Sequence, residues 1–261
     1  MRSMNIAATG MQAQQTQVDT ISHNLANMST TGYKRHRTEF QDLMYQDLRR
    51  VGTNSSDTGT IVPTGVQIGL GVKVAAVSRA HEQGTMQNTS NPLDVAVQGR
   101  GFFRIELPTG EFAYTRDGQF QLSPEGEIVT KDGYIVAPNI VVPDEAISIS
   151  VSKEGQVQAV LDGQIAPVDL GQFDLATFIN PAGLDAIGDN MYLATEASGD
   201  EIIGLAGQEG FGSLLQGFLE SSNVNPISEV TNMIVAQRAY EMNSKVISAS
   251  DEMLQNLNQS A

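Results

Sequence analysis

Four carboxylates near the middle of the chain are the residues best placed for catalysis. Asp117, Glu125, Glu127 and Asp132 lie in one short stretch, and a pair of carboxylates is what most glycosidases use. Each of the four lies at or beside a predicted turn, where acidic side chains are ordinarily solvated. The pattern favours surface carboxylates over a catalytic pair, and a secreted carbohydrate-active enzyme remains as the alternative from a different functional class.

Nucleophile, metal and nucleotide chemistry have little support in the sequence. The chain contains no cysteine, and His23, His36 and His81 are scattered, so neither a thiol nucleophile nor a clustered metal site is predicted. Gly69–Gly71 and Gly99–Gly101 lack the Gly-Lys-Ser/Thr ending of a phosphate-binding loop and lie among predicted strands. We therefore expect no enzyme activity, no cofactor and no metal.

Negative charge is concentrated in the middle of the 261-residue chain, whose formal net charge is −15. Residues 1–50 have a net charge of +2, residues 51–220 of −15 and residues 221–261 of −2. This distribution disfavours nucleic acid and anionic membrane surfaces as partners. No stretch approaches the roughly 18 apolar residues of a membrane span, and the first residues do not resemble a secretory signal. We expect no membrane insertion and, if the protein is exported, export without a cleaved signal peptide.

The two ends of the chain have the apolar spacing of narrow helical seams. Steps of three and four residues are typical of the apolar seam of a coiled coil, which needs a partner helix to cover it. We expect these helices to pair with each other or with another copy of the chain. The predicted seams comprise Met4, Ala7, Met11, Gln14, Val18, Ile21, Leu25 and Met28 near the start, and Met233, Ala236, Tyr240, Asn243, Ile247, Ser250, Leu254 and Leu257 near the end.

Local signals set the expected limits of these helices. The first helix is predicted over residues 4–29, with Gly10 marking close packing or a bend and Gly32 suited to a left-handed cap. The second is predicted to begin after Asn225, with Pro226 at its first position. A further short helix is predicted over residues 36–50, and an extended loop or hairpin over residues 51–65.

From residue 66 onwards the pattern changes to short alternating runs separated by Gly-containing turns, which is typical of an antiparallel sandwich or barrel. The fold class predicted is therefore α+β, with paired terminal helices, an extended hairpin connector and a central, mostly antiparallel β domain. The predicted division has three parts. Residues 1–33 and 225–261 form a helical polymerisation domain, residues 34–75 and 205–224 a connecting region, and residues 76–204 an acidic β domain.

One string at the end of the first helix, NLANMSTTGYK, resembles the signature of the bacterial flagellar rod and hook proteins. Its most specific residues are Asn24, Leu25, Ala26, Asn27, Gly32, Tyr33 and Lys34. Further stretches resemble the same family in the same order, so the resemblance covers nearly the whole chain. They are Pro63–Val72, Asn91–Phe103, Tyr114–Gly118, Ser222–Asn225 and Gln237–Lys245.

This resemblance implies a structural subunit that polymerises into the hollow rod carrying torque from the flagellar motor to the hook. Chain length and the insertion at residues 46–65 are most similar to the distal rod member; a proximal rod or hook subunit is the alternative within the family. The implied partners are further copies of the chain, proximal rod and hook subunits, the surrounding basal-body rings and the flagellar type III export apparatus. The implied location is the basal body, where the rod crosses the periplasm. The predicted polymerisation seam comprises Met11, Val18, Ile21, Leu25, Met28, Met233, Tyr240, Ile247, Leu254 and Leu257.

Overall fold

The computed structural model describes residues 2–49, 64–163 and 166–260, without the side chains of Leu257 and Ser260. Its internal contacts divide the chain into two compact units. The helical unit comprises Met1–Ala26, His36–Ser78 and Asn225–Ala261, and the β unit comprises Asn27–Arg35 and Arg79–Val224. In this division residues 36–78 belong to the helical unit and residues 205–224 to the β unit. The three-part division predicted from the sequence stays a prediction.

The helical unit contains two long helices from the two ends of the chain. Helix α1 spans Arg2–Ala26 and helix α2 spans Pro226–Ser260. Asn225 caps α2 as predicted, because its Oδ1 accepts hydrogen bonds from the backbone N–H groups of Ile227 and Ser228 at 3.0 and 3.3 Å. Helix α1 ends three residues before its predicted limit, at the start of a turn. Neither helix, over its described residues, is long and apolar enough to cross a membrane.

The helical unit also contains four strands that form a two-stranded ribbon. They are β1 (His36–Asp42), β2 (Tyr45–Arg49), β3 (Val66–Gly69) and β4 (Val72–Arg79). Strand β1 pairs with β4 and β2 pairs antiparallel with β3. Backbone hydrogen bonds continue across the break between the two pairs, from Leu43 N to Gly71 O and from Leu70 N to Met44 O. The ribbon leads towards residues 50–63, so most of the loop or hairpin predicted over residues 51–65 lies outside the described residues.

The helix predicted over residues 36–50 is wrong. That prediction depended on the spacing of Phe40, Leu43, Met44 and Leu48, which matches one face of a helix. In the structure this stretch is strand, because residues 66–79 run antiparallel beside it and satisfy its backbone groups. The apolar side chains that suggested a helix face are largely exposed, so the spacing does not reflect burial within the unit.

The β unit contains sixteen described strands and one short 3₁₀ turn, Pro181–Gly183. The strands are β5 (Met86–Asn88), β6 (Val95–Gln98), β7 (Phe102–Glu106), β8 (Phe112–Thr115), β9 (Gln121–Leu122), β10 (Ile128–Val129), β11 (Ile135–Ala137), β12 (Ala146–Val151), β13 (Gln156–Leu161), β14 (Val168–Gln172), β15 (Asp174–Thr177), β16 (Asp185–Gly188), β17 (Met191–Leu193), β18 (Ile202–Leu205), β19 (Ser213–Gln216) and β20 (Phe218–Glu220).

Every described strand pair in the β unit is antiparallel, as predicted. Nine strands form one sheet that runs from β16 through β17, β8, β7, β11 and β10 to β9, with β15 and β18 branching from β7. A second sheet contains β12, β13 and β14. Strand β19 pairs with β6, and β20 pairs with β5, so the last strands of the unit return to the first.

An aromatic and aliphatic core holds the β unit together. Phe103, Phe120 and Phe173 are fully buried at its centre, with the ring centroids of Phe103 and Phe120 5.0 Å apart in an edge-on arrangement. Strands β6, β13 and β19 add Val97, Val157 and other aliphatic side chains to the same cluster. The α+β class, with terminal helices and a central antiparallel β domain, is confirmed.

Candidate assembly surface

Helices α1 and α2 approach each other closely because small side chains line much of their contact. Ala7 and Ala236 are almost fully buried, and a Cβ atom added to Gly10 would lie 2.9 Å from Asn243 Nδ2. Close packing at Gly10 is therefore confirmed. The hydroxyl oxygens of Ser3 and Ser250 lie 3.2 Å apart across the same contact. Asn243 and Ser250, two polar residues of the predicted seam, thus contact α1 by packing and by hydrogen bonding at positions where a coiled coil usually has apolar residues.

The predicted seam residues are not all buried within the chain. Ile21 is 1% exposed, whereas Tyr240 is 43% exposed and Met28, in the turn after α1, is 46% exposed. The side chain of Leu257 lies outside the described residues. The remaining six are partly buried: Met11, Val18, Leu25, Met233, Ile247 and Leu254. The structure therefore brings most of the seam residues to the contact between α1 and α2 but leaves them incompletely covered.

The helical unit, over its described residues, exposes far more apolar surface than it buries. Only Ala7, Ala13, Ile21 and Ala236 of its apolar side chains are buried. Fifteen of the twenty-three exposed large apolar side chains of the described chain belong to this unit. They are Phe40, Met44, Tyr45, Leu48, Val66, Leu70 and Val77 on the ribbon, and Ile227, Val230, Ile234, Val235, Tyr240, Met242, Val246 and Met253 on α2.

This exposure identifies the helical unit as the candidate assembly surface. Burial of one aliphatic side chain is worth about 1.5–3 kcal/mol, so eight exposed apolar side chains on α2 represent a large unrealised stabilisation. Contiguous apolar surface of this kind marks sites of protein–protein interaction. Four fully buried apolar residues are a small core for two helices and a ribbon.

The first part of the signature string holds the helical unit's elements together through Asn24, which is 1% exposed. Its side chain pairs with the backbone of His36 in both directions: Nδ2 donates to His36 O and Oδ1 accepts from His36 N, each at 2.8 Å. Asn24 Nδ2 also lies 3.2 Å from Glu229 Oε2 on α2. One amide side chain thus ties the end of α1 to the start of β1 and to the first turn of α2.

The second part of the string belongs to the β unit and needs glycine at one point. Gly32 has φ of +69°, and a Cβ atom there would lie 3.0 Å from the backbone of Arg116 and Asp117. Gly32 N donates to Glu220 O at 2.8 Å. Tyr33 is 7% exposed beside it. The left-handed conformation predicted at Gly32 is confirmed, but its role is close approach to a neighbouring strand end rather than capping of α1, which ends six residues earlier.

Lys34 follows Gly32 and Tyr33 into a buried charge cluster. Its Nζ lies 2.6 Å from Glu220 Oε1 and donates to Glu82 O at 2.8 Å. Arg116 Nη1 lies 3.3 Å from the other carboxylate oxygen of Glu220. Lys34 and Glu220 are each 1% exposed, and Arg116 is 6% exposed.

Burial dominates the electrostatics of this cluster. Desolvation lowers the pKa of Lys34 and of Arg116, while the Glu220 carboxylate acts in the opposite direction on both. Glu220 also accepts a hydrogen bond from Gly84 N at 2.9 Å. One carboxylate thus faces two cations and a backbone donor, and it joins segments that are distant in sequence. Removing it would leave two buried positive charges side by side.

His81 lies beside the same cluster and was not singled out by the sequence. Its ring packs edge-on against Phe102 and Tyr192, with centroids 6.1 and 6.3 Å away. Burial, followed by the charges of Lys34, Arg79 and Arg116, lowers the pKa of His81 to about 4. The sequence did not reveal Glu220, Glu229 and His81, because none of them belongs to a recognisable local motif. Arg116 lies in the Tyr114–Gly118 stretch that resembles the family.

The carboxylates considered for catalysis have structural partners. Asp117 Oδ2 lies 2.9 Å from Lys131 Nζ, and its other oxygen accepts from Gln119 N at 3.1 Å. Glu125 contacts the hydroxyl of Ser123, and Glu127 accepts a hydrogen bond from Asn139. Asp117 and Asp132 line an open cavity of about 390 Å³. Among the described residues, no group of three or more His, Asp or Glu side chains is arranged to hold a metal ion.

The fold and the uncovered helix faces define a structural subunit built for assembly. Three family descriptions match the chain: "Flagella basal body rod protein" at residues 4–34, "Flagellar hook protein FlgE/F/G D1 domain" at 96–159 and "Flagellar basal body rod FlgEFG protein C-terminal" at 215–260. The chain is 55% identical to the flagellar basal-body rod protein FlgG of Caulobacter vibrioides, over 98% of this chain and 97% of that protein.

Two further relatives with the same name extend this similarity. FlgG of Borreliella burgdorferi is 52% identical over 97% of this chain and 96% of its own length. FlgG of Bacillus subtilis is 40% identical over 98% of each. The chain belongs to the FlgG family of flagellar basal-body rod proteins and is a structural subunit of the rod.

Proposed function

We propose that this chain is the distal rod subunit, which polymerises through its helical unit into a hollow shaft that carries torque from motor to hook. The observation that supports this most is the imbalance within that unit, with four buried apolar side chains and fifteen large exposed ones among the described residues. Copies of the same chain would cover the exposed helix and ribbon faces and complete the burial.

Polymerisation into a shaft requires an interface that does not close on itself. When two different surfaces of one subunit pair, and the rotation between neighbours does not close a ring, the result is a helical filament. Long helices, a ribbon and a β unit offer several separate surfaces for such contacts. Many simultaneous contacts make the shaft stiff in torsion. In this proposal the helices line the tube.

The β unit is proposed to form the outer wall of the shaft. It carries eight basic and 21 acidic side chains, a net charge of −13, and its core is complete without neighbouring copies. Proximal rod subunits would meet one end of the shaft, hook subunits the other, and the basal-body rings its outside. Delivery to the assembly site would use the flagellar type III export apparatus.

The role proposed is structural rather than catalytic. The carboxylates Asp117, Glu125 and Glu127 have partners that match turn and surface positions, as expected for solvated acidic groups. A proximal rod or hook subunit remains the alternative within the family. A carbohydrate-active enzyme would need the carboxylate of Asp117 or Glu125 for function, whereas a structural subunit would not. Neutral substitutions at these two residues therefore distinguish the two functions.

Electron microscopy of labelled basal bodies tests the proposed position. An epitope inserted at the exposed turn at Gly110, between β7 and β8, has no neighbouring side chain to displace. In cells that still swim with the tagged chain, gold label is expected on the rod between the membrane-proximal segment and the hook. Label on the hook itself, or only at the base of the rod, would contradict a distal rod subunit.

A further inference from the structure

The chain passes between its helical unit and its β unit four times, after Ala26, Arg35, Ser78 and Val224. Each of these crossings is a single backbone segment. Force that travels along the chain from one unit to the other therefore divides among the four segments. How evenly it divides depends on whether the segments are bonded to one another where they leave each unit.

Within the β unit, the side chain of Asn223 bonds the segments of three crossings together. Its Oδ1 accepts a hydrogen bond from Arg35 N at 2.7 Å. Its Nδ2 donates to Ala80 O at 2.8 Å and to Glu82 O at 3.1 Å. Ala80 N also donates to Arg35 O at 2.8 Å. The amide oxygen thus faces an N–H group and the amide nitrogen faces carbonyl oxygens, which matches the acceptor and the donors that the group offers.

Within the helical unit, Asn24 has the equivalent position. It lies two residues before Ala26 and hydrogen-bonds both backbone groups of His36, the first residue after the second crossing. It also contacts Glu229, in the first turn of α2 after the fourth crossing. Because Arg35 and His36 are consecutive, the N–H and C=O groups of both residues are hydrogen-bonded at this crossing, on each side within one unit.

The partners of the two amides are distant in sequence. In loops and at helix ends an asparagine side chain ordinarily bonds backbone groups only a few residues away. Asn223 bonds Arg35 and Ala80, which are 188 and 143 residues away. Asn24 bonds partners that are 12 and 205 residues away. These contacts therefore hold separate chain segments together, beyond the turn in which each asparagine lies.

We propose that Asn24 and Asn223 are positioning residues that make the four crossings share mechanical load as the rod turns. This role rests on the proposed function, in which each subunit passes torque to its neighbours. A single hydrogen bond contributes little net stability, so a segment pulled alone opens readily. Segments bonded to each other are loaded in parallel, and several hydrogen bonds must open together before any one segment yields.

Rotation of the motor tests this role, because torque loads the crossings only in cells whose motors turn. Cells whose only gene copy carries Asn24→Ala, Asn223→Ala or Asn223→Asp are compared, in medium of raised viscosity, with paralysed cells that carry the same substitution. Asn223→Asp keeps an oxygen for Arg35 N and loses the donor to Ala80 O. Asn223 is only partly buried, so its two variants decide the outcome if Asn24→Ala yields no rods.

Complete rods with hooks are counted by electron microscopy of isolated basal bodies, and hooks with attached rod fragments are counted in the medium. The ratio of complete rods in rotating cells to those in paralysed cells is expected to fall for the variants of Asn24 and Asn223, with shed fragments in the medium. Asn139→Ala is the matched control and should keep the wild-type ratio. Asn139 is a β-unit amide that donates to Glu127 at 2.6 Å and is distant in sequence from every crossing.

The outcomes separate this role from the proposed function on which it rests. A ratio that stays at the wild-type value for the variants of Asn24 and Asn223 would overturn it, whether or not the number of rods falls, because the amides would then serve folding alone. An equal fall for Asn139→Ala would overturn it as well, since loss of any β-unit amide would then suffice. Isolated rods that contain no copy of the chain would instead overturn the proposed function.

Discussion

At the residue scale, the signature string owes its specificity to two buried polar contacts. Asn24 needs both an acceptor and a donor to satisfy the backbone of His36, and only an amide side chain of that length supplies both. Lys34 needs a buried carboxylate, which Glu220 provides from the far end of the chain. These residues stabilise the subunit, and their effect on assembly acts through its fold.

Protonation of His81 is expected to destabilise the β unit in acid. Its pKa is about 4 in the folded protein against 6.5 in the unfolded chain, so stability is fully present above pH 6.5 and is lost as the pH falls towards 4. Protonation of His81 is expected to lower the free energy of unfolding by about 3 kcal/mol. Urea unfolding of wild-type protein and of His81→Phe at pH 7.5 and 4.5 measures it. The variant should lose less free energy of unfolding than wild type over this range; equal losses in the two proteins would contradict the assignment.

Neutralising Glu220 is expected to be costly. Glu220→Gln keeps the shape of the side chain but leaves Lys34 and Arg116 as neighbouring buried cations, which should lower the free energy of unfolding by about 3–5 kcal/mol. Asp117→Asn removes the partly exposed pair with Lys131 and should cost under about 1 kcal/mol. Denaturant titration compares the two. Equal, small costs would show that the buried cluster does not stabilise the β unit.

At the element scale, the sequence was informative wherever one element had a single strong pattern. The heptad spacing of α1 and α2, the Asn225 cap and the Gly-containing β turns all predicted elements that the structure contains. The ribbon was mispredicted because Phe40, Leu43 and Met44 have helical spacing, whereas their strand state depends on pairing with residues 66–79. Pairing between segments separated by residues 50–63 has no local signature.

The candidate site was only partly accessible from the sequence for a similar reason. Nothing local to Lys34 in the sequence points to Glu220, 186 residues later, as its partner. Exposed apolar residues of α2 such as Val235, Met242 and Val246 also have helical spacing, but spacing alone does not show which apolar face of α2 contacts α1. Exposure in the folded chain separates them: Met242 is 60% exposed and Ala236 is 2% exposed.

A charge in the predicted seam is expected to stop rod assembly without unfolding the β unit. Leu25 and Ile247 are partly buried apolar residues of the helical unit. Leu25→Asp or Ile247→Asp removes about 1.5–3 kcal/mol of burial and adds a carboxylate to an apolar contact, at every subunit of the polymer. Cells should lack completed rods and hooks, and the purified variants should keep the β-type circular dichroism of the wild type.

Asp117→Asn and Glu125→Gln serve as controls for that experiment, because they change the best catalytic candidates without touching a helix. Motility should persist in both, as judged by swimming in soft agar. If cells with Leu25→Asp or Ile247→Asp swim while cells with Asp117→Asn or Glu125→Gln do not, the result would favour the catalytic alternative over a structural role.

At the scale of the whole molecule, the two units differ in how complete they are. The β unit contains twenty-nine of the thirty-three buried apolar residues of the described chain and a continuous aromatic core. The helical unit has the length for many contacts but little core of its own. We expect the β unit of such a subunit to fold by itself and the helical unit to complete its burial against neighbouring copies.

The β unit is expected to fold alone, provided that it keeps residues 27–35. A chain of residues 27–35 joined by a short Gly-Ser linker to residues 79–224 retains Lys34 and the Gly32–Glu220 hydrogen bond. It should melt cooperatively with a β-type spectrum. Residues 79–224 alone should melt about 10 °C lower, because a loss of roughly 3 kcal/mol shifts the melting temperature of such a domain by that much. Identical melts would show that the segment is dispensable, and unfolded chains in both cases would show that the unit depends on the rest of the protein.

Amide hydrogen exchange of α2 tests most directly whether neighbouring copies complete the helical unit. Residues 226–260 should exchange quickly in dilute purified protein, because few buried apolar contacts hold them, and slowly in rods isolated from cells. Strands β7 and β8 in the core of the β unit provide the internal reference and should be protected in both samples. Slow exchange of α2 in rods and fast exchange in dilute monomer is the result predicted. Equal protection of α2 in monomer and rod would contradict the account, because the helices would then be stable without the neighbours proposed to cover them.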